Sequence, residues 1–430
     1  LYKHSPIAFT TAVFAIPISV FGMGIAGSQG NGPITAFWLF FVSSAVAVST
    51  CRRVFPSPTD YLFLGLVACI LVSTALSFDQ NHWKEYALLV LCMPLPYAAG
   101  RLMTIQQMSR LPRAVSAAGS IFTALAMITV AASMAKSGLS GANRTAILGL
   151  PHTQIVFAAA LGCTAIAFAH SDIDPKSWLG FALLALFFVS TTVLVIALVR
   201  FTIIATIVTL AFSAAVFAWQ RFNDGKRAAL AACFACLLGV CAATALRPAG
   251  VTSFAKEGIS DVMKDTASVR TALLSRSKDK SVTLPPSCSE EMKDEDRSIH
   301  VRSVLLKDGF FLLGKAGFFG FGLDTFPDLT CLRGHQVHNI YLQTFVEIGY
   351  IAGFILLVLL LWSVTHLRHF NIDRDCLLAR NFLVTSLGFF CLIGLVHGSV
   401  SRSLPIFLFL GAITSFYAGD HHPQRSQLEG

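Results

Sequence analysis

From Trp178 to Trp219 the chain carries a single charged residue, Arg200, in an otherwise unbroken apolar stretch. As one α-helix that stretch would rise roughly 60 Å, about twice the hydrocarbon thickness of a bilayer, because each residue adds about 1.5 Å. It therefore has to reverse, most simply around Arg200. Runs of spanning length recur along the chain, at approximately 6–28, 33–51, 58–77, 84–100, 114–135, 154–170, 178–198, 201–219, 228–246, 340–366, 377–398 and 403–419. Length and hydropathy thus predict an all-α polytopic membrane protein of about twelve transmembrane helices. Composition agrees, with 55% hydrophobic residues, 36 Phe and a mean hydropathy of +0.68. Charged residues make up 13%, about half the usual share in soluble domains. A water-soluble multidomain enzyme, a disordered chain and a disulfide knot are all excluded. The run at 6–28 is too long for a signal-peptide core and reads as a retained helix, with native residues expected ahead of Leu1.

The net charge of +9 does not indicate a nucleic-acid partner, because the cations sit in short clusters between apolar runs, where they set orientation. With the N-terminus inside, the cytoplasmic connections hold Arg52 and Arg53, then Arg101, Arg110 and Arg113, then Arg221, Lys226 and Arg227, then Arg368 and Arg374. The opposite short loops hold Lys84, Lys136, Arg144, Arg200 and Arg402. The bias places both termini in the cytoplasm. The chain then divides into spans one to nine over 1–246, a large loop over 247–339, spans ten to twelve over 340–419, and a cytoplasmic tail over 420–430. In a bacterial inner membrane the large loop is periplasmic. It holds 13 of the 32 Lys and Arg and 12 of the 23 Asp and Glu, so it is solvated and partly folded. Within it Val301, Val304, Leu305, Phe311 and Leu312 recur near helical spacing, predicting an amphipathic helix over about 298–313 that starts near Arg302.

The chain has no phosphate loop of the GxxxxGK[ST] type, no HExxH and no GxSxG, which argues against an ATPase, a zincin and a serine hydrolase. Asp172/Asp174, Asp294/Asp296 and Asp373/Asp375 form DxD triplets but lie in charged loops and read as solvated charge. Cys233 and Cys236 form a CxxC inside an apolar run, where cysteine acts as a small apolar residue. Cys288 and Cys331 stand in the polar loop and are candidates for a disulfide if that loop is periplasmic.

A few residues are out of place in so apolar a chain. Arg200 either snorkels to fix its turn or meets an anion at the membrane edge. His338, where the large loop becomes the tenth span, is either an interface or cap residue or a group able to move a proton near neutrality. Glu347 inside an apolar run needs a partner or a cavity. At nine residues from His338 it is more than about 13 Å along a continuous helix, and is not assigned as its direct partner. Gly349 and Gly353 form a GxxxG, expected to let another helix approach closely.

Together, HNIYLQTFVEIG at 338–349, GFGLDTF at 320–326, Arg302 and Arg200 resemble the O-antigen ligase and O-antigen polymerase superfamily of bacterial envelope enzymes. The resemblance implies a GT-C-like membrane glycosyltransferase of the inner membrane. Its substrates would be an undecaprenyl-diphosphate-linked glycan as donor and the lipid A-core oligosaccharide as acceptor, joined on the periplasmic side. It implies catalytic roles for His338, Arg302 and Arg200, with Arg200 and Arg302 gripping the diphosphate and His338 taking the proton of the attacking hydroxyl, for inversion at the anomeric carbon. Arg270, Arg276, Arg333, His335, Asn339 and Tyr341 are further expected substrate contacts. No cofactor or metal is required, since the diphosphate is already a leaving group and guanidinium groups can hold its oxygens bidentately. A polymerase using the same donor is the nearest alternative. A single large loop ahead of the His motif favours the ligase. A lipid or sugar transporter is the alternative from another class, and the absence of two similar halves weighs against it.

Overall fold

The computed structural model describes residues 56–77, 83–141, 153–197, 199, 201–247, 298–332, 334–365, 374–396 and 403–420, with isolated positions between 9 and 18. Among these residues the regular structure is entirely helical. Six helical stretches are long and apolar enough to cross a bilayer: Pro58–Leu76, Ile105–Ala132, Trp178–Ile196, Phe201–Trp219, Asn223–Leu246 and Arg374–Gly394. Shorter apolar helices cover Gln154–Ala169, Tyr350–Thr365 and Leu404–Tyr417. The expected spans at 6–28 and 33–51 fall largely or wholly outside the described residues.

The chain enters α1 (Pro58–Leu76) through a capping box: Ser57 Oγ accepts from the Asp60 N–H while the Asp60 carboxylate accepts from the Ser57 N–H at 2.7 Å. The same carboxylate takes the Tyr97 hydroxyl at 2.8 Å and Arg101 Nε at 3.1 Å. A cap residue thereby ties α1 to the following helices. The single span expected at 84–100 is instead two helices, α2 (Trp83–Cys92) and α3 (Pro94–Arg101). Proline 94 lacks the N–H and its ring collides with the carbonyl four residues back, so one helix cannot continue through it.

After α4 (Ile105–Met108), α5 (Leu111–Gly141) and α6 (Thr153–Ala169) pack together, and α7 (Trp178–Ile196), α8 (Phe201–Trp219) and α9 (Asn223–Leu246) join them. The reversal predicted around Arg200 is present between α7 and α8, although Arg200 itself lies outside the described residues. Four more elements follow: α10 (Ser298–Ala316), α11 (Phe326–Leu329), α12 (Ile340–Gln343) and a π-turn over Thr344–Ile348. The chain then forms α13 (Tyr350–Thr365), packed on α1, then α14 (Arg374–Gly394) and α15 (Leu404–Asp420), the last crossing α3. The amphipathic helix of the loop is therefore one turn longer than expected. The tenth span, expected to run unbroken over 340–366, is interrupted at Gly349.

The helices alternate in direction, as the ion pairs at one end show. Arg113 before the body of α5, Asp172 ahead of α7, Asp224 in α9 and Arg374 in α14 meet there: Arg113 pairs with Asp172, and Arg374 lies 3.4 Å from Asp224 and 4.0 Å from Asp172. Trp178 and Trp219 sit at the same end, 84% and 82% exposed, as indoles in an interfacial belt do. The opposite end carries the C-termini of α1, α7, α9 and α14, and there the motif residues assemble.

Candidate functional site

Asn339 starts the motif. Its side-chain oxygen accepts from the Leu342 N–H at 3.0 Å, capping α12, while its amide donates to the Leu395 carbonyl at 3.1 Å just past α14. The Tyr341 hydroxyl donates to the Cys391 carbonyl at 3.0 Å. Asn339 and Tyr341, expected to contact substrate, thus use these polar groups to fasten the motif to the end of α14. His338 stands between Asn339 and the buried Val337, half-buried, with φ +55. That conformation is uncommon for a residue with a Cβ, and it turns the chain sharply at the imidazole.

Glu347 has the partner that its sequence position demanded. It is fully buried, and its carboxylate accepts from the backbone N–H groups of Asp324 at 3.0 Å and Phe326 at 3.3 Å and from Gln343 Nε2 at 2.9 Å. Its carbonyl accepts from Gly322 N–H at 2.8 Å and from Ser73 Oγ of α1 at 3.1 Å. Phe321 N–H bonds the Val346 carbonyl, and Tyr350 N–H the Gly317 carbonyl, each at 3.1 Å. The two sequence motifs are therefore one unit, GFGLDTF laid against the π-turn and pinned by a carboxylate.

Glycine makes the contact possible. At Gly349, φ +104, an added Cβ would lie 2.1 Å from the Phe318 carbonyl oxygen, and at Gly320, φ +69, 2.3 Å from that of Glu347. The expected GxxxG face is corrected accordingly. Gly349 is the break between the π-turn and α13, and Gly353 lies under the Phe345 ring of its own segment.

Helix α10 covers this unit. Leu305 and Leu312 pack with Phe326, Val337, Leu342 and Val346 in one apolar cluster. Gly309 sits so close that an added Cβ would fall 2.6 Å from Leu342 Cδ2 and 3.2 Å from Val337 Cγ2. Arg302 precedes Gly309 by seven residues, hence on the same face, about 10 Å nearer the N-terminus of the helix. Its guanidinium is largely buried, which pulls its pKa below the ordinary value. Arginine stays charged all the same, and among the described residues Arg302 has no hydrogen-bond or ion-pair partner. Farther along, the buried Asp308 carboxylate accepts from the Cys331 N–H at 3.0 Å.

Of the remaining expected site residues, Arg200, Arg270, Arg276, Arg333 and Cys288 lie outside the described residues. His335 is exposed beside the motif. Cys331 is disulfide-bonded. Sequence reasoning passed over Asp324, with φ +61 and a carboxylate accepting from Gln336 Nε2 at 2.8 Å. It also passed over Arg247, whose Nη1 donates to the Ile196 carbonyl at 2.9 Å, beside the reversal between α7 and α8. Among the described residues no three His, Cys, Asp or Glu stand together as metal ligands would.

The family described as O-antigen ligase matches residues 184–358. This stretch contains Arg200, Arg302, GFGLDTF and the whole HNIYLQTFVEIG motif, so the resemblance to the O-antigen ligase and polymerase superfamily holds. No curated protein matches the chain.

Proposed function

We propose that this membrane protein, which carries an O-antigen ligase family domain at residues 184–358, transfers a glycan from undecaprenyl diphosphate to the lipid A-core oligosaccharide on the periplasmic side of the inner membrane. The observation that carries this reading is Arg302. A largely buried guanidinium without a partner among the described residues is an unfavourable arrangement in itself, and becomes favourable when an anion arrives. Its helix packs directly on the segment that presents His338.

In the reaction the acceptor hydroxyl oxygen attacks the anomeric carbon and the bond from that carbon to the diphosphate oxygen breaks. The hydroxyl proton passes to His338, whose ordinary pKa of about 6.5 suits it to accept and release a proton near neutrality. Arg302, with Arg200 from the α7–α8 turn, stabilises the charge that grows on the leaving diphosphate. Attack opposite the leaving group inverts the anomeric centre.

The bundle's alternation supports the placement. Arg113 and Arg374 gather at one end, the one that the excess of Lys and Arg assigns to the cytoplasm together with both termini, and the motifs gather at the other. The disulfide at Cys331 suits an oxidising compartment, with Cys288 as its proposed partner.

Purified protein given a defined lipid-linked donor and lipid A-core should form the joined product without ATP or an ion gradient, and Arg302→Ala or His338→Ala should abolish it. Transfer to a second lipid-linked glycan instead would make it a polymerase. In cells, loss of the ligase leaves bare core with full-length polymer on the carrier, whereas loss of a polymerase leaves core with one repeat unit. Normal activity in both variants would remove the mechanism.

A further inference from the structure

His338 is held from two directions by bonds already described, since Val337 is buried under α10 and Asn339 is fastened to α12 and to the end of α14. The arm that approaches the imidazole, 334–337, also bears on where it stands. A line of side chains reaches that arm from the core. Glu347 accepts the Asp324 N–H at 3.0 Å, and the Asp324 carboxylate accepts from Gln336 Nε2 at 2.8 Å, two residues ahead of His338.

Asp324, in the middle of this line, and His338, two residues beyond it, are both in left-handed backbone, at φ +61 and φ +55, and the only other such non-glycine residue among those described is Arg221. Backbone of this kind persists where the surroundings over-determine it. For Asp324 the surroundings include the Glu347 carboxylate on its N–H and Gln336 on its side chain.

We propose that Asp324 is a positioning residue for His338: anchored by Glu347, it holds Gln336 and with it the arm that presents the imidazole. The proposal rests on His338 being the group that receives the acceptor's proton. Toward Gln336 the role calls for an acceptor atom at 324. Asparagine supplies such an atom and also tolerates left-handed backbone.

The test is a substitution series in the full-length protein, assayed with lipid-linked donor and core acceptor. Asp324→Ala and Gln336→Ala should each lower kcat about a hundredfold with KM little changed, the size of effect that misplacement of a catalytic group by about 1 Å produces. Asp324→Asn should retain activity. Gln336→Glu, which sets two carboxylates against each other, should be inactive, and adding Asp324→Asn to it should restore turnover by reversing the direction of the hydrogen bond.

A second readout does not depend on turnover: the rate at which diethyl pyrocarbonate modifies His338, followed by mass spectrometry. The alanine variants should change that rate severalfold, and Asp324→Asn and the double variant should return it to the wild-type value. If wild-type protein transfers no glycan, the functional reading fails and the labelling series alone decides the positioning role. If Asp324→Ala does not fold, Gln336→Ala decides it. The proposal is overturned if the alanine variants leave kcat and labelling unchanged, if the loss falls on KM alone, or if Asp324→Asn is as inactive as Asp324→Ala.

Discussion

Arg302 holds a charge that no partner among the described residues compensates. Burial draws its pKa below the ordinary value, and a largely buried charge left unpaired costs stability. Replacing it with Met, which keeps the length and removes the charge, should leave thermal stability unchanged or raise it by up to about 1 kcal/mol while abolishing glycan transfer. Unfolding in detergent and the transfer assay measure the two effects, and a clearly destabilised variant would show that Arg302 serves the fold. Residue type was legible in the sequence here, since Arg200, His338 and Glu347 stood out as polar groups in apolar company and the family resemblance marked Arg302. Their partners were not. Nothing local indicates that Glu347 would bond Asp324 and Phe326, twenty-odd residues earlier, or that Asn339 and Tyr341 would bond the end of α14.

Among the elements, the π-turn departs furthest from expectation. A continuous helix over 340–366 would have carried Glu347 as one more side chain on a spanning surface. The five-residue π-turn and the break at Gly349 instead leave the Glu347 carbonyl and carboxylate to serve the 320–326 loop. Glu347→Ala would strand three donors, two of them backbone N–H groups, at about 1–3 kcal/mol for each that stays buried and unpaired. The expected result is a lower melting temperature together with faster amide exchange at Asp324 and Phe326; protection unchanged at both amides would mean that the loop holds its shape without the carboxylate. Helix α10 was foreseen because its periodicity is a local property. The division between α2 and α3 was missed although Pro94 was in plain view, because hydropathy counts apolar length and takes no account of a missing N–H. The GxxxG reading failed for a related reason: spacing alone cannot distinguish a glycine that packs a helix from one that ends it.

At the scale of the molecule, the alternation of the bundle brings Arg113, Asp172, Asp224 and Arg374 to one end and the motifs to the other. Single cysteines at Asp224 and His335, both exposed, should react with a membrane-impermeant thiol reagent from opposite faces, Asp224→Cys from the cytoplasm and His335→Cys from the periplasm. Labelling of both from one face would invert the proposed orientation or break the topology. The ion pairs at the first of these ends are exposed and contribute little to stability; their use is in reporting which loops share a face.

The sequence by itself determined that the chain is helical, that it crosses a membrane repeatedly, where α7 turns back as α8, and which polar residues are out of place, because a bilayer imposes its demands on each segment separately through length, hydropathy and flanking charge. Only the tertiary structure decided that GFGLDTF and the π-turn form one unit around Glu347, that Asp324 reaches toward the arm bearing His338, and that Arg302 has no partner among the described residues. Those are contacts between segments far apart in the chain, set by which backbone carbonyls and N–H groups are left over once each helix has satisfied its own.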